Sequence, residues 1–232
     1  MATTRSIYLK GVRDGGPFVL IVVPFAALFG VVGSEAGLSI AQVMCFSVLV
    51  IAGAAQFTAV QLMLEEAPTV IVLATSLAVN LRMAMYSASL VPHLGAAPFW
   101  QRGVMAYLLV DQSYAISIVK FDAEPDMPLA QKVAYFLGVV TLIVPFWYGF
   151  TLAGAMAGRG IPDSWALDFA VPLAFLSLVA PALRTLAHVA AAFVAVVLGL
   201  ALAGLPYSIG LLIAAVAAMA TGSELERRGY GT

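Results

Sequence analysis

The chain has 232 residues, a formal net charge of −1 and a mean hydropathy of +1.02, with 62% apolar and 10% charged residues. Soluble domains carry about 25% charged residues, so this chain has too few charges to cover a surface that faces water. The composition therefore excludes an ordinary soluble domain, and the absence of a basic patch in the sequence argues against a nucleic-acid-binding protein.

Long uncharged runs predict membrane-spanning helices. No charged residue lies between Asp14 and Glu35, between Glu35 and Glu65, or between Lys132 and Arg159. A spanning helix needs roughly 20 apolar residues, and these runs lack the polar–apolar alternation of a membrane barrel. The sequence predicts an all-α polytopic membrane protein with about seven or eight transmembrane helices. The predicted spans are 15–34, 39–64, 68–92, 102–119, 133–157, 165–182, 185–203 and 206–222, and we leave open whether the second and third are broken or re-entrant.

Basic residues in the short connections predict the orientation of the chain. With eight crossings, one side holds two basic residues, Arg102 and Arg159, and the other side holds Arg5, Lys10, Arg13, Lys120, Lys132, Arg184, Arg227 and Arg228. This bias predicts a bacterial inner-membrane protein with both termini in the cytoplasm. The predicted cytoplasmic segments are 1–14, 120–132 and 223–232, and two transmembrane repeats are predicted at 15–119 and 133–222.

Two segments that start 121 residues apart are similar in sequence. Residues 23–37 read VPFAALFGVVGSEAG and residues 144–158 read VPFWYGFTLAGAMAG, with seven of fifteen positions identical. Duplicated halves are typical of secondary transporters. We therefore predict two duplicated halves, which are parallel if every span crosses and inverted if one segment is re-entrant. Proline and glycine inside apolar spans predict helix breaks at Pro24, Gly53, Pro145 and Pro172.

Two charged residues lie in the middle of neighbouring predicted spans, Arg82 in the third and Asp111 in the fourth. A charge at this depth costs at least about 2.5–3.5 kcal/mol, so we expect both side chains to face the protein interior. Two interpretations stay open: a fixed ion pair that holds helices together, or a functional pair in which Asp111 titrates or Arg82 meets a substrate carboxylate. Helical spacing places Tyr107 and Tyr114 on the same face of the fourth span as Asp111.

The sequence does not favour a metal site, a cofactor or an enzyme. Cys45 is the single cysteine, and His93 and His188 lie far apart in the sequence. Neither a metal-ligand spacing nor a nucleophile with its base can be recognised.

These residues together resemble the AzlC family of branched-chain amino acid permeases. The resemblance covers nearly the whole chain and is carried by Pro24-Phe25 with Gly30, Gly53–Phe57, Asn80–Arg82, Tyr86–Leu90, Asp111–Tyr114 and Asp168–Phe175. It implies the larger subunit of a two-component exporter with a small AzlD-type membrane partner. It also implies proton-driven efflux of branched-chain amino acids. Family members usually have an acidic residue where this chain has Gln112, which argues against a two-carboxylate relay there.

The leading hypothesis is a secondary transporter that exports branched-chain or similar small apolar amino acids by alternating access. In this hypothesis Gln56 and the break at Gly53 hold the polar head of the amino acid, Arg82 meets the carboxylate, and Asp111 carries or gates the proton. The predicted substrate-binding residues are Gly53, Gln56, Asn80, Arg82, Tyr86 and Tyr114, and those predicted for proton coupling or ion pairing are Asp111, Arg82 and Asp168. The alternatives are a passive channel and a membrane assembly subunit without a transport pathway.

Overall fold

The computed structural model describes residues 3–158, 183, 185–205 and 209–230, and every regular element in these ranges is helical. The prediction of an all-α polytopic membrane protein is confirmed. The helices are α1 (Thr4–Gly15), α2 (Val19–Glu35), α3 (Ile40–Leu49), α4 (Gly53–Leu64), α5 (Thr69–Leu94), α6 (Phe99–Tyr107), α7 (Asp111–Ala123), α8 (Leu129–Gly158), α9 (Leu186–Ala201) and α10 (Ile209–Leu225). The predicted span 165–182, with Asp168 and Pro172, lies outside the described residues.

Four stretches of the described chain are long and apolar enough to cross a membrane: Thr4–Glu35, Thr69–Leu94, Leu129–Gly158 and Ile209–Gly229. The chain divides into two compact units, and each is described by itself. The first unit combines Met1–Val60 with Ser76–Trp165, and the second combines Gln61–Thr75 with Ala166–Thr232. The boundaries of the two predicted repeats stay a prediction.

Two long helical stretches run side by side through the first unit. A 3-10 turn at Gly16–Phe18 joins α1 to α2 without interrupting the stretch, and α8 has 30 residues. Pro24 lies inside α2 and Pro145 lies inside α8. The predicted breaks at these two prolines are therefore wrong. A proline removes one backbone hydrogen bond, and a membrane helix that packs against a neighbour tolerates this loss.

Glycines allow α8 to pack closely against α1 and α2. A Cβ atom on Gly11 would overlap the backbone of Tyr135, and one on Gly154 would overlap the backbone of Ala27. Such small residues let helix backbones approach in membranes. Gly11 contacts the first half of α8, and Ala27, later in the chain, contacts the second half. Helix α8 therefore runs parallel to the α1–α2 stretch.

The predicted span 39–64 folds as a helical hairpin. Ser39 caps α3 through reciprocal bonds with Gln42, and an extended residue, Val50, ends the helix after ten residues. Helix α4 then runs back alongside α3. This is shown by the Gln56 amide on α4, which donates to the Ser47 hydroxyl on α3 at 3.4 Å. Nine residues of continuous helix would separate the two by roughly 13 Å. The helix is interrupted between Leu49 and Gly53, where the chain reverses its direction.

The tip of this first hairpin lies halfway along α2. Phe29 contacts Phe46 on α3 and Phe57 on α4, with ring centroids 6.5 and 5.4 Å apart. At the tip, a Cβ atom on Gly53 would lie 2.5 Å from the Phe25 ring. The arms are roughly 15–18 Å long, about half of the hydrocarbon thickness of a bilayer.

The predicted span 102–119 is also a hairpin. Asp111 at the start of α7 pairs with Arg82, whereas Asp122 near its end pairs with His93 at 3.2 Å. Helix α7 therefore runs parallel to α5. The intervening helix α6 starts at the end of α5 and must run in the opposite direction. Residues 108–110 form the tip, so this second hairpin enters from the end opposite to the first.

Basic residues collect at the end of the first unit where the second hairpin opens. Lys120 pairs with Glu124, and this hydrogen bond lowers the pKa of the Glu124 carboxyl. Lys132 donates to the Pro125 carbonyl at 2.9 Å. Arg102 lies beside the end of α5 at the same end. The eight-crossing prediction had placed Arg102 on the opposite side, and the hairpin corrects that placement.

The second unit contains an antiparallel helix pair. Gly222 on α10 faces Ala191 on α9, whereas Gly210 faces Leu202 just after α9. Thr185 caps α9 by accepting from the His188 amide. The predicted spans 185–203 and 206–222 thus correspond to two helices that pack against each other within the described residues.

Candidate functional site

The tips of the two hairpins meet through Tyr107, the last residue of α6. Its hydroxyl donates to the Val48 carbonyl at 2.6 Å and accepts from the Tyr148 hydroxyl at 2.7 Å. The Val48 carbonyl belongs to the last turn of α3, where carbonyls lack partners within the helix. Tyr107 thus ties α6, α3 and α8 together. It does not share a helical face with Asp111, because the chain turns between them.

The Arg82–Asp111 ion pair lies beside these tips. The Arg82 Nη2 and Asp111 Oδ2 atoms are 3.3 Å apart, and the two side chains are 32% and 44% exposed. Asp111 is the first residue of α7, where the helix dipole favours a negative charge. The position of Ser113 shapes this helix start, since its hydroxyl accepts from the Val110 amide at 2.9 Å. The pair is therefore positioned by a helix terminus and remains accessible.

Each side chain of this pair has one buried polar atom without a hydrogen-bond partner among the described residues, Arg82 Nε and Asp111 Oδ1. Two tyrosines form an adjacent wall, with the Tyr86 and Tyr114 rings stacked at 4.2 Å and 8°. The Tyr114 hydroxyl donates to Ser89 at 3.1 Å. A donor, an acceptor and a flat apolar surface thus lie together.

A second polar cluster lies in the first hairpin. The Gln56 amide bonds to Ser47, and the Ser47 hydroxyl donates to Thr151 at 3.4 Å. All three side chains are buried, and the Gln56 Oε1 atom has no partner among the described residues. A buried amide oxygen without a partner costs free energy, so this atom is a candidate ligand acceptor. The surrounding rings are those of Phe25, Phe29, Phe57 and Trp147.

The structure groups most of the predicted site residues. Arg82, Asp111, Tyr86 and Tyr114 form one cluster, and Gly53 and Gln56 belong to the other. Asn80 lies half-buried on α5, and its Oδ1 atom lacks a partner in the described chain. Asp168 and Pro172 lie outside the described residues.

Sequence reasoning missed Ser47, Thr151 and Tyr148. Each is a polar residue in an otherwise apolar run, and this is the feature of the sequence that could have marked them as candidate site residues. Thr151 also stands where the similar segment 23–37 has Gly30. What connects these residues is the reversal at the first tip, which no local pattern in the sequence shows.

A family model described as AzlC protein matches residues 17–161. The chain belongs to the AzlC family. The matched residues contain both hairpins and both polar clusters, so the part of the chain that defines AzlC proteins is also the part that builds the candidate site. The family resemblance seen in the sequence is confirmed.

Named relatives of this AzlC chain are membrane proteins. It is 30% identical over 219 residues to an uncharacterized membrane protein of Archaeoglobus fulgidus, covering 91% of this chain and 92% of the relative. It is 24% identical to the inner membrane protein YgaZ of Escherichia coli K12, covering 90% and 87%. No solved structure matches. Family and relatives support a membrane location and a transport role.

Proposed function

We propose that this chain is a secondary transporter that exports branched-chain or similar small apolar amino acids across the inner membrane. The observation that carries the proposal is the pair of opposed hairpins whose tips meet at mid-depth, beside polar atoms that have no partner among the described residues. Non-helical backbone at this depth is tolerated where it lines a cavity or is buried in protein. Discontinuous helices at mid-depth are typical of transporter substrate sites.

The Arg82–Asp111 pair suits a zwitterionic amino acid. Arg82 Nε donates to the substrate carboxylate, and Asp111 Oδ1 accepts from the ammonium group. The aliphatic side chain packs against the stacked rings of Tyr86 and Tyr114. Gln56 supplies a further acceptor from the first hairpin, as the sequence hypothesis assigns. An uncharged aliphatic side chain fits these apolar walls better than a charged one.

Protonation of Asp111 couples transport to the proton gradient. A neutral Asp111 no longer balances the ammonium group, so a proton and an amino acid compete for the same carboxylate. A proton that reaches Asp111 from outside releases the amino acid there and then moves inward. This competition links inward proton movement to outward amino acid movement.

The gate consists of the two hairpins. Each opens toward one end of the first unit, and the Tyr107 bonds to Val48 and Tyr148 hold their tips closed. Opening one hairpin at a time gives alternating access to the tips. An exporter of this kind works with a small AzlD-type membrane partner, as the family resemblance implies.

Both termini are cytoplasmic in this proposal, and the positions of the basic residues in the first unit support this for the N-terminus. Arg5, Lys10 and Arg13 lie on α1, whose side of the first unit also carries Arg102, Lys120 and Lys132. Glu35 ends α2 at the opposite end. Basic residues mark the cytoplasmic side of a membrane protein.

Uptake of labelled leucine into inside-out membrane vesicles tests the proposal. Vesicles containing the chain and its partner should accumulate leucine when the interior is acidic, and a proton ionophore should abolish the accumulation. Arg82→Gln and Asp111→Asn should each lower uptake at least about tenfold, since each removes one of the two charges that hold the zwitterion. Arg5→Gln on the exposed face of α1 is the matched control and should keep full activity.

Three outcomes would overturn parts of this assignment. Wild-type uptake in both Arg82→Gln and Asp111→Asn would show that the pair is structural. A flux that never saturates and ignores the proton gradient would identify a passive channel. Transport by the partner without this chain would identify an assembly subunit.

A further inference from the structure

A groove between α5 and α6 opens beside the candidate site. It has a volume of about 90 Å³ and is lined by apolar side chains of both helices, with Phe136 of α8 beside them. Leu90 and Leu94 lie on the α5 wall, Met105 lies on the α6 wall, and Leu109 lies in the tip that follows α6. The groove runs roughly 10 Å from Arg102 to Leu109.

Arg102 provides a cation at one end of this groove. It is exposed, its guanidinium lies 6.0 Å from the centroid of the Phe99 ring, and no carboxylate in the described chain pairs with it. Phe99 and Trp100 beside it are exposed as well. Aromatic and basic residues with this exposure are typical of the lipid headgroup level.

We propose that the α5–α6 groove binds one anionic phospholipid, with its phosphodiester on Arg102 and part of an acyl chain between Leu94 and Leu109. A water-soluble anion would gain nothing from the apolar walls, and a zwitterionic lipid brings its own cation beside the phosphodiester, so it compensates the charge of Arg102 only in part. An anionic lipid satisfies both features at once. Basic pockets between membrane helices on the cytoplasmic side bind such headgroups.

The bound lipid is a positioning ligand for the second hairpin. It holds α6 against α5, and α6 ends at Tyr107, which ties the two tips together. Leu109 lines the groove only two residues before Asp111. Filling the groove therefore stabilises the arrangement that places Asp111 against Arg82. The proposal concerns binding and does not depend on which solute is transported.

Native mass spectrometry of the purified full chain tests the site directly. The chain is exchanged into vesicles or detergent containing phosphatidylcholine with about one-fifth phosphatidylglycerol, and retained lipids are counted. Wild type should retain one phosphatidylglycerol in preference to phosphatidylcholine. Arg102→Gln should lower that preference about fivefold, the contribution expected of one basic residue at a membrane surface. Arg102→Lys should keep most of it.

Two further variants separate a built groove from general surface charge. Arg5→Gln removes an exposed cation outside the groove and should leave the preference unchanged. Met105→Trp fills the groove and should lower retention while Arg102 stays in place. Both variants are checked for a folded state by size-exclusion chromatography.

Several results would overturn the proposal. One is unchanged retention of phosphatidylglycerol in Arg102→Gln or in Met105→Trp. Another is a loss of retention in Arg5→Gln as large as that in Arg102→Gln. Competition by water-soluble glycerol phosphate at equal concentration would instead indicate a free phosphate site and would equally refute the lipid.

Discussion

The second hairpin makes a prediction about which side of the membrane two loops occupy. Residues 96 and 126 are exposed and flank the α6–α7 segment. Laid end to end, α6 and α7 measure roughly 34 Å and would cross the roughly 30 Å core. Folded as a hairpin, they return to the starting side, and the 3.2 Å contact between His93 and Asp122 holds the ends of α5 and α7 together. The two loops therefore lie on one side.

Cysteine labelling in intact cells checks this placement. Cys45 is exposed, so it is first replaced by alanine, and Ala96→Cys and Asp126→Cys are then introduced singly. Both should resist a membrane-impermeant maleimide added outside and react after the cells are permeabilised. Arg5→Cys is the reference for the same side, and Ala36→Cys after α2 is the reference for the opposite side. Labelling of positions 96 and 126 from opposite sides would refute the hairpin.

Three further experiments probe energetics and gating. In a double-mutant cycle of Arg82→Gln and Asp111→Asn, the coupling free energy between the two side chains should be about 1–2 kcal/mol. Coulomb's law at 3.3 Å and an effective dielectric constant of 20 sets an upper limit of about 5 kcal/mol, and exposure of both side chains reduces it. Gly154→Ala should destabilise by about 1–3 kcal/mol in a denaturation titration, since the added methyl overlaps the Ala27 backbone. Tyr107→Phe removes two hydrogen bonds worth about 0.5–1.5 kcal/mol each, so the hairpin tips should separate more readily. A cysteine introduced at the buried position 51 (Ile51→Cys) should then react with a maleimide roughly tenfold faster.

The glycine and tyrosine variants each have a control in the same chain. Gly149 lies on α8 with open space around it, so Gly149→Ala should be neutral or slightly stabilising. Tyr8→Phe removes a bond to Thr141 far from the tips and should leave the labelling of position 51 unchanged. A coupling free energy below about 0.5 kcal/mol would contradict the Arg82–Asp111 pair. Equal effects of the two glycine variants would contradict the close packing at Gly154. Equal labelling rates in Tyr107→Phe and wild type would contradict a role of Tyr107 in holding the tips.

Much of the candidate site could be predicted from the sequence. A charge in an apolar run is expensive, so Arg82 and Asp111 stood out without any structure, and the helix break at Gly53 was visible as glycine beside a polar amide. Pro24 and Pro145 were misleading because a proline does not break a helix that neighbouring helices support. Trp147 is buried against the Phe25 and Phe29 rings, a packing that its position in the sequence does not show.

The sequence by itself determined the class of protein, its helical character and the identity of the charged residues within its apolar runs, because hydropathy and charge act residue by residue. Only the tertiary structure decided the direction of the chain after each break. A run of 26 uncharged, mostly apolar residues satisfies a bilayer equally well as one crossing helix or as two short helices that return. The choice depends on contacts between distant residues, such as Gln56 with Ser47 and His93 with Asp122.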